Sequence, residues 1–281
     1  MVFRIADYTG YAPAPTREPR NMGLFPFDGN VIGGALIGAG MAVTGTCPGT
    51  TFVQAAASIT TGRNVLVGGV LGAFLYSIAS PVMIPSKAPA SSVRPASSQL
   101  GPWTMLALWE VMCLAVIGSA TILDPQRGQA STSLVGPVTG GLLIGLAQAA
   151  SIILRKKSVG MSTSFADCSS WVQDGYRQAK RSGKSHPAQF FTPATTFVCG
   201  AFWGARVLSQ GWPEKHDLDS DSLDAQVLAF IGGVVMIFGA QLAGGCTSGH
   251  GISGMSAFAP SSIISVAAMF AAGTVTALAI K

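Results

Sequence analysis

Two of the five cysteines lie in runs that cannot continue a helix, Gly45-Thr46-Cys47-Pro48-Gly49 and Gly244-Gly245-Cys246-Thr247-Ser248-Gly249-His250. A neutral thiol is a weak S–H donor and a soft partner, so it can exchange contacts with a polarizable anion without gripping it. The hydroxyls of Thr46, Thr247 and Ser248 offer stronger donors to oxygens, or else satisfy the broken backbone. A thiolate would repel an anion, and apolar surroundings disfavour the charged form, so Cys47 and Cys246 are expected to stay protonated. A nucleophilic cysteine would need a cation beside it, and neither has Lys or Arg nearby in sequence. A small buried hydrophobe is the plain alternative for each. His250 has no second histidine nearby, so no metal site is expected; anion attraction and capping of a short helix are its two readings.

The other candidates are weaker. Cys113 and Cys199 fall mid-segment with no turn beside them and read as packing residues, and Cys168 reads as a bystander thiol in a basic loop. Gln148 and Gln241 interrupt apolar helices, Glu110 is the only carboxylate well inside one, and Arg206 near a segment end reads as an interface anchor.

The elements that must hold these residues follow from composition. The chain has 281 residues, of which 49% are hydrophobic and only 10% charged, and its mean hydropathy is +0.47. That leaves too little polar surface to cover a water-soluble globule of this size. Charges cluster between long apolar stretches at 31–45, 65–84, 103–123, 134–154, 190–208, 225–243 and 263–280, which predicts an all-α integral membrane protein with about seven transmembrane helices. The apolar pieces 50–59 and 252–259, each just after a cysteine turn, are too short to cross and read as broken or re-entrant helices. The 35 glycines predict close helix packing. The net charge of +5 lacks an aromatic-interleaved basic patch, which argues against nucleic acid. The loop 155–189 is strongly basic in its first thirty residues and so is expected in the cytoplasm, with the acidic loop 214–224 on the other side. The organisation is a polar tail (1–28), a partial first half (29–84), a cytoplasmic linker (85–102) and the remaining helices (103–281), forming a single membrane domain.

An internal repeat links the two turns. IGGALIGAGMAVTGTCPG from Ile32 superposes on IGGVVMIFGAQLAGGCTSG from Ile231, pairing Gly33 with Gly232, Gly40 with Gly239, Gly45 with Gly244 and Cys47 with Cys246 at one constant interval. Glycines alone would recur by chance, but glycines and a cysteine in register imply duplication into two pseudo-symmetric repeats, as in many transporters. Short helices after each cysteine would aim positive dipole ends at a shared cavity.

GMAVTGTCPGTT (40–51), LAGGCTSGHGISG (242–254) and GGLLIGLAQAASIILRKKSVGMSTS (140–164) resemble the YeeE/YedE sulfur-transport family, from about residue 28 onward. The resemblance implies uptake of thiosulfate or a related inorganic sulfur compound through a narrow hourglass-shaped path lined by the motif cysteines. On this reading the substrate-binding residues are Thr46, Cys47, Pro48, Gly49, Gly245, Cys246, Thr247, Ser248, Gly249 and His250. No cofactor is expected, the plasma membrane is the expected location, and a cytoplasmic sulfur-carrier or rhodanese-like protein is the expected partner. A membrane sulfurtransferase or persulfide-handling protein is the alternative. Family members usually begin with a further leader element and cysteine, so the chain reads as N-terminally short.

Overall fold

A computed structural model describes residues 9–11, 19–83, 137–156, 161, 163–171, 192–210 and 222–280, with scattered positions between 104 and 118. The predicted segment 103–123, the linker 85–102 and most of the two charged loops lie outside the described residues. Among those residues the elements are all helical: α1 (Asp28–Thr44), α2 (Thr50–Ala56), α3 (Thr60–Met83), α4 (Pro137–Arg155), α5 (163–171), α6 (Pro193–Ser209), α7 (Leu223–Ala243), a π-helix (Ser248–Gly254) and α8 (Pro260–Ile280). Three of them, α3, α7 and α8, are long and apolar enough to cross a membrane.

The core is an antiparallel pair of α1 and α7, and glycine sets its spacing. A Cβ on Gly33 would fall 2.6 Å from Gly239 O, and one on Gly239 would fall 2.7 Å from Gly33 O. Seven residues along α1, Gly40 and Gly232 repeat the arrangement, with a Gly40 Cβ falling 2.8 Å from Gly232 O. Backbone thus meets backbone at both places, which is how apolar helices associate where water supplies no driving force. Two further helices flank the pair. Gly38 of α1 packs on Met269 of α8, while Gly68 and Gly72 of α3 pack on Phe230 and Val234 of α7. Both flanking contacts advance together along the two helices, so α8 runs parallel to α1 and α3 parallel to α7. Tyr76 stacks edge-on against Phe238 on the same seam.

One end of this four-helix core therefore carries the start of α1 and the ends of α3 and α7; the other carries the end of α1 and the start of α7. Both central helices stop in the left-handed region, at Gly45 (φ 63°) and Gly244 (φ 78°), whose amides donate to Met41 O and Ala240 O. Glycine is the residue that adopts that cap without strain. After each turn comes one short helix, then a left-handed residue (Ser58, φ 64°; Phe258, φ 55°), then a long helix.

Candidate functional site

The first turn is organised by Thr50, a residue the sequence reading did not single out. Its hydroxyl accepts from the Cys47 amide (2.9 Å), lies 2.7 Å from Thr46 Oγ1 and 3.3 Å from Cys47 Sγ, while its amide donates to the same sulfur at 3.4 Å. Thr51 donates to Cys47 O at 2.9 Å. The sulfur of Cys47 is thus met as an acceptor by Thr50, which leaves its own S–H to point elsewhere. Cys47 is half-buried, Pro48 fully buried. A Cβ on Gly49 would stand 2.9 Å from Met161 Sδ. Met161 therefore packs on the first cysteine turn.

The second turn is more enclosed. Cys246 is fully buried and its Sγ lies 3.1 Å from Ser248 Oγ. Its carbonyl accepts from the His250 amide at 2.8 Å. The His250 ring bridges two helices, with Nε2 3.1 Å from Ala243 O and Nδ1 2.9 Å from Ser262 Oγ. A carbonyl can only accept, so Nε2 carries the proton. Gly249 and Gly245 are buried in the same turn. Thr247 reaches back along the core to donate to Met41 Sδ at 3.5 Å. The segment from Ser248 winds as a π-helix, a form that often marks functional sites. Gln148 of α4 donates to Ser253 within it at 3.2 Å, which accounts for that buried glutamine. A cavity of about 560 Å³ lies between α1, the π-helix and α8, with Met41, Thr247, Met255 and Met269 among its lining.

The two cysteine turns do not sit side by side on one helix end. They enter from opposite ends of the α1–α7 pair, each folding back beside the long helices. Of the remaining thiols, Cys113 is half-buried and Cys199 exposed. Burial pushes the Cys168 thiol above its ordinary range, with Asp167 and Cys199 adding to the effect. Arg206 is exposed and donates to Ser58 Oγ at 3.3 Å, tying α6 to the turn after α2. Among the described residues no group of histidine, cysteine, aspartate or glutamate is arranged to hold a metal.

The stretch ahead of α1 is ordered by Asn21 and Asp28, which sequence reading assigned to a plain polar tail, and by Asn30 just beyond it. The buried Asp28 carboxylate accepts from the amides of Met22 (2.6 Å), Leu24 (2.8 Å) and Gly29 (2.7 Å). Asn21 Oδ1 accepts from Phe27, and Asn30 Oδ1 from the Arg20 amide at 2.9 Å. Asn30 Nδ2 in turn donates to Ala243 O (3.2 Å) and Ser265 Oγ (3.0 Å), joining this strap to α7 and α8.

The profile of a family described as sulphur transport matches residues 1–276. A thiosulfate transporter, TsuA, of Escherichia coli (strain K12) is 24% identical over 261 residues, covering 82% of this chain and 68% of that protein. A probable transporter of Xylella fastidiosa (strain 9a5c) is 27% identical over 141 residues, covering 50% of this chain and 90% of that protein.

Proposed function

This chain belongs to the sulphur transport family, and we propose that it takes up thiosulfate or a related small inorganic sulfur compound, relayed past Cys47 and Cys246. It is an integral membrane protein that transports a sulfur compound. The observation that carries the finer reading is the placing of the two glycine-capped cysteine turns, which break their helices from opposite ends of one tightly packed pair. Irregular backbone at membrane depth is tolerated only inside protein or beside a path, and transporter sites are commonly built this way. Thiols met by the hydroxyls of Thr50 and Ser248, with those of Thr46 and Thr247 in the same two turns, suit an anion with one soft sulfur and several oxygens. Weak contacts in series favour passage over retention.

The two halves are read as duplicates. Gly45 with Gly244, the Cys47 carbonyl with the Cys246 carbonyl, and Ser58 with Phe258 hold like backbone roles in α1-to-α3 and α7-to-α8, which supports that reading. The end bearing the start of α1 and the Cys246 turn is assigned to the cytoplasm, since the linker 85–102 leaves from it and the acidic loop before α7 belongs to the other end. That puts Cys47 on the outer side in a plasma-membrane protein of seven crossings, with a cytoplasmic sulfur carrier or rhodanese-like acceptor. A sulfurtransferase would need an accessible, cation-activated thiol; Cys246 is fully buried and Cys47 Sγ is met by Thr50.

The test is uptake of radiolabelled thiosulfate by cells lacking their own carrier. Cys47→Ala and Cys246→Ala are each expected to lose most uptake at equal membrane abundance, with Cys199→Ala unchanged. Full uptake by both motif variants would refute the relay.

A further inference from the structure

We propose that Arg20 is the oxyanion-reading residue at the Cys246 mouth, holding the oxygen end of the sulfur anion and so selecting sulfur oxyanions over hydrosulfide. This rests on the transport reading above and names the substrate class within it. The argument starts from the strap. Arg20 precedes α1, yet its backbone is fixed at both ends: its amide donates to the buried Asn30 and its carbonyl accepts from Gly29 N at 3.1 Å. The side chain is thereby laid across Gly244, where a Cβ would fall 2.9 Å from Arg20 Nε and 3.3 Å from its Cγ. Gly244 opens the Gly-Gly-Cys turn, two residues before Cys246. Glycine at 244 therefore serves two ends at once, the left-handed cap and the room for a guanidinium.

That guanidinium is exposed, and among the described residues no carboxylate pairs with it. Asp28, Asn21 and Asn30 together spend seven hydrogen bonds on holding this stretch and its neighbours in place. Asn30 ties it to the carbonyl of Ala243, the last residue of α7. A loop needing only to connect would not require two fully buried polar side chains.

The chemistry follows from the fork of N–H donors. A guanidinium meets two oxygens of a planar or tetrahedral oxyanion in parallel, whereas hydrosulfide offers none. With its oxygens on Arg20, thiosulfate would present its terminal sulfur inward, toward the Cys246 turn. An arginine serving only the negative end of α7 would stabilise the helix and leave selectivity untouched.

The experiment compares wild type, Arg20→Gln and Arg20→Lys in vesicles of both orientations, with radiolabelled thiosulfate and with hydrosulfide as competitor. Expected for Arg20→Gln is a rise in KM of roughly tenfold, the size of one lost hydrogen-bonded charge contact, seen only from the face carrying the start of α1. Hydrosulfide should then compete more strongly by a similar factor. Arg20→Lys, which keeps the charge without the fork, should recover KM in part, and its folding provides a second reading where the glutamine variant fails to insert. Unchanged KM on both faces in a wild-type-active system, or a loss of abundance and Vmax alone, overturns the assignment to Arg20. Wild-type vesicles that carry no thiosulfate overturn the transport reading itself, and this inference with it.

Discussion

Replacing Gly33 with alanine tests the seam on which the arrangement of both turns depends. The added Cβ would stand 2.6 Å from Gly239 O and from the Ala243 amide N, against about 3.4 Å where ordinary contact begins, so α1 and α7 must part by 3.4 minus 2.6, about 0.8 Å. Overpacking of this kind costs about 1–3 kcal/mol. The Asn30–Ala243 bond lies one turn away and is already 3.2 Å long, so parting the helices stretches it beyond use and adds about 1 kcal/mol. Alanine's better helix propensity returns at most about 1 kcal/mol. The net expectation is a loss of about 1–3 kcal/mol, read as reversible unfolding of the purified protein in mixed micelles. Gly239→Ala presses into the same gap from the other side, with its Cβ 2.6 Å from Leu36 Cβ. Once the helices have parted for one substitution the second needs little more, so the double variant should fall short of the sum by about 1 kcal/mol. Gly145→Ala, where a Cβ meets open space, is the control and should be neutral or stabilising. Wild-type stability for Gly33→Ala, or strict additivity with Gly239→Ala, would refute the close seam.

At the first turn, Thr50→Val removes the hydroxyl that accepts from the Cys47 amide and touches its sulfur. The unpaired amide costs about 1–3 kcal/mol locally, so peptide-resolved maleimide labelling of Cys47 should quicken and thiosulfate uptake fall, with Thr50→Ser close to wild type; unchanged labelling would show that Thr50 does not hold the turn. At Cys168, a thiol raised by burial has less thiolate at neutral pH than an ordinary cysteine. Its labelling should be slow at pH 7 and climb about tenfold per pH unit past the point where a free thiol levels off; a plateau at or below the ordinary range would contradict the burial.

What the sequence disclosed and what it hid divide along a physical line. Apolar runs announce themselves because a membrane demands length, so α1, α3, α4, α6, α7 and α8 each begin within five residues of the expected segments. The glycine caps at 45 and 244 were equally visible, since a left-handed end has few residue choices. The strap was not: Asn21 and Asp28 look like any polar tail, and Asn30 finds its partners 213 and 235 residues away. Thr50 was missed because a threonine at a helix start reads first as a cap. A broken helix was expected over 252–259, whereas the turn starts at Ser248 as a π-helix, and nothing in Ser-Gly-His-Gly distinguishes a π turn from an α turn before packing decides it.

Helix directions bear on the crossing number in a way composition cannot. Helices separated by an odd number of crossings must run antiparallel, and those separated by an even number parallel. If every apolar segment crosses, α1 is first, α3 second, α7 sixth and α8 seventh. Then α1 and α7 should oppose, while α8 should follow α1 and α3 should follow α7, and the Gly33–Gly239, Gly38–Met269 and Tyr76–Phe238 contacts run that way. Dropping a single crossing between α3 and α7 would turn both central relationships around. The segments 103–123, 134–154 and 190–208 therefore contribute three crossings or one, never two. We propose three, because α4 and α6, helices of 19 and 17 residues, would then each have a bilayer to fill. The antiparallel α1–α7 pair sets the two cysteine turns at opposite ends of the core, and the proposed seven crossings would put those ends on opposite faces of the bilayer, as the proposed relay requires.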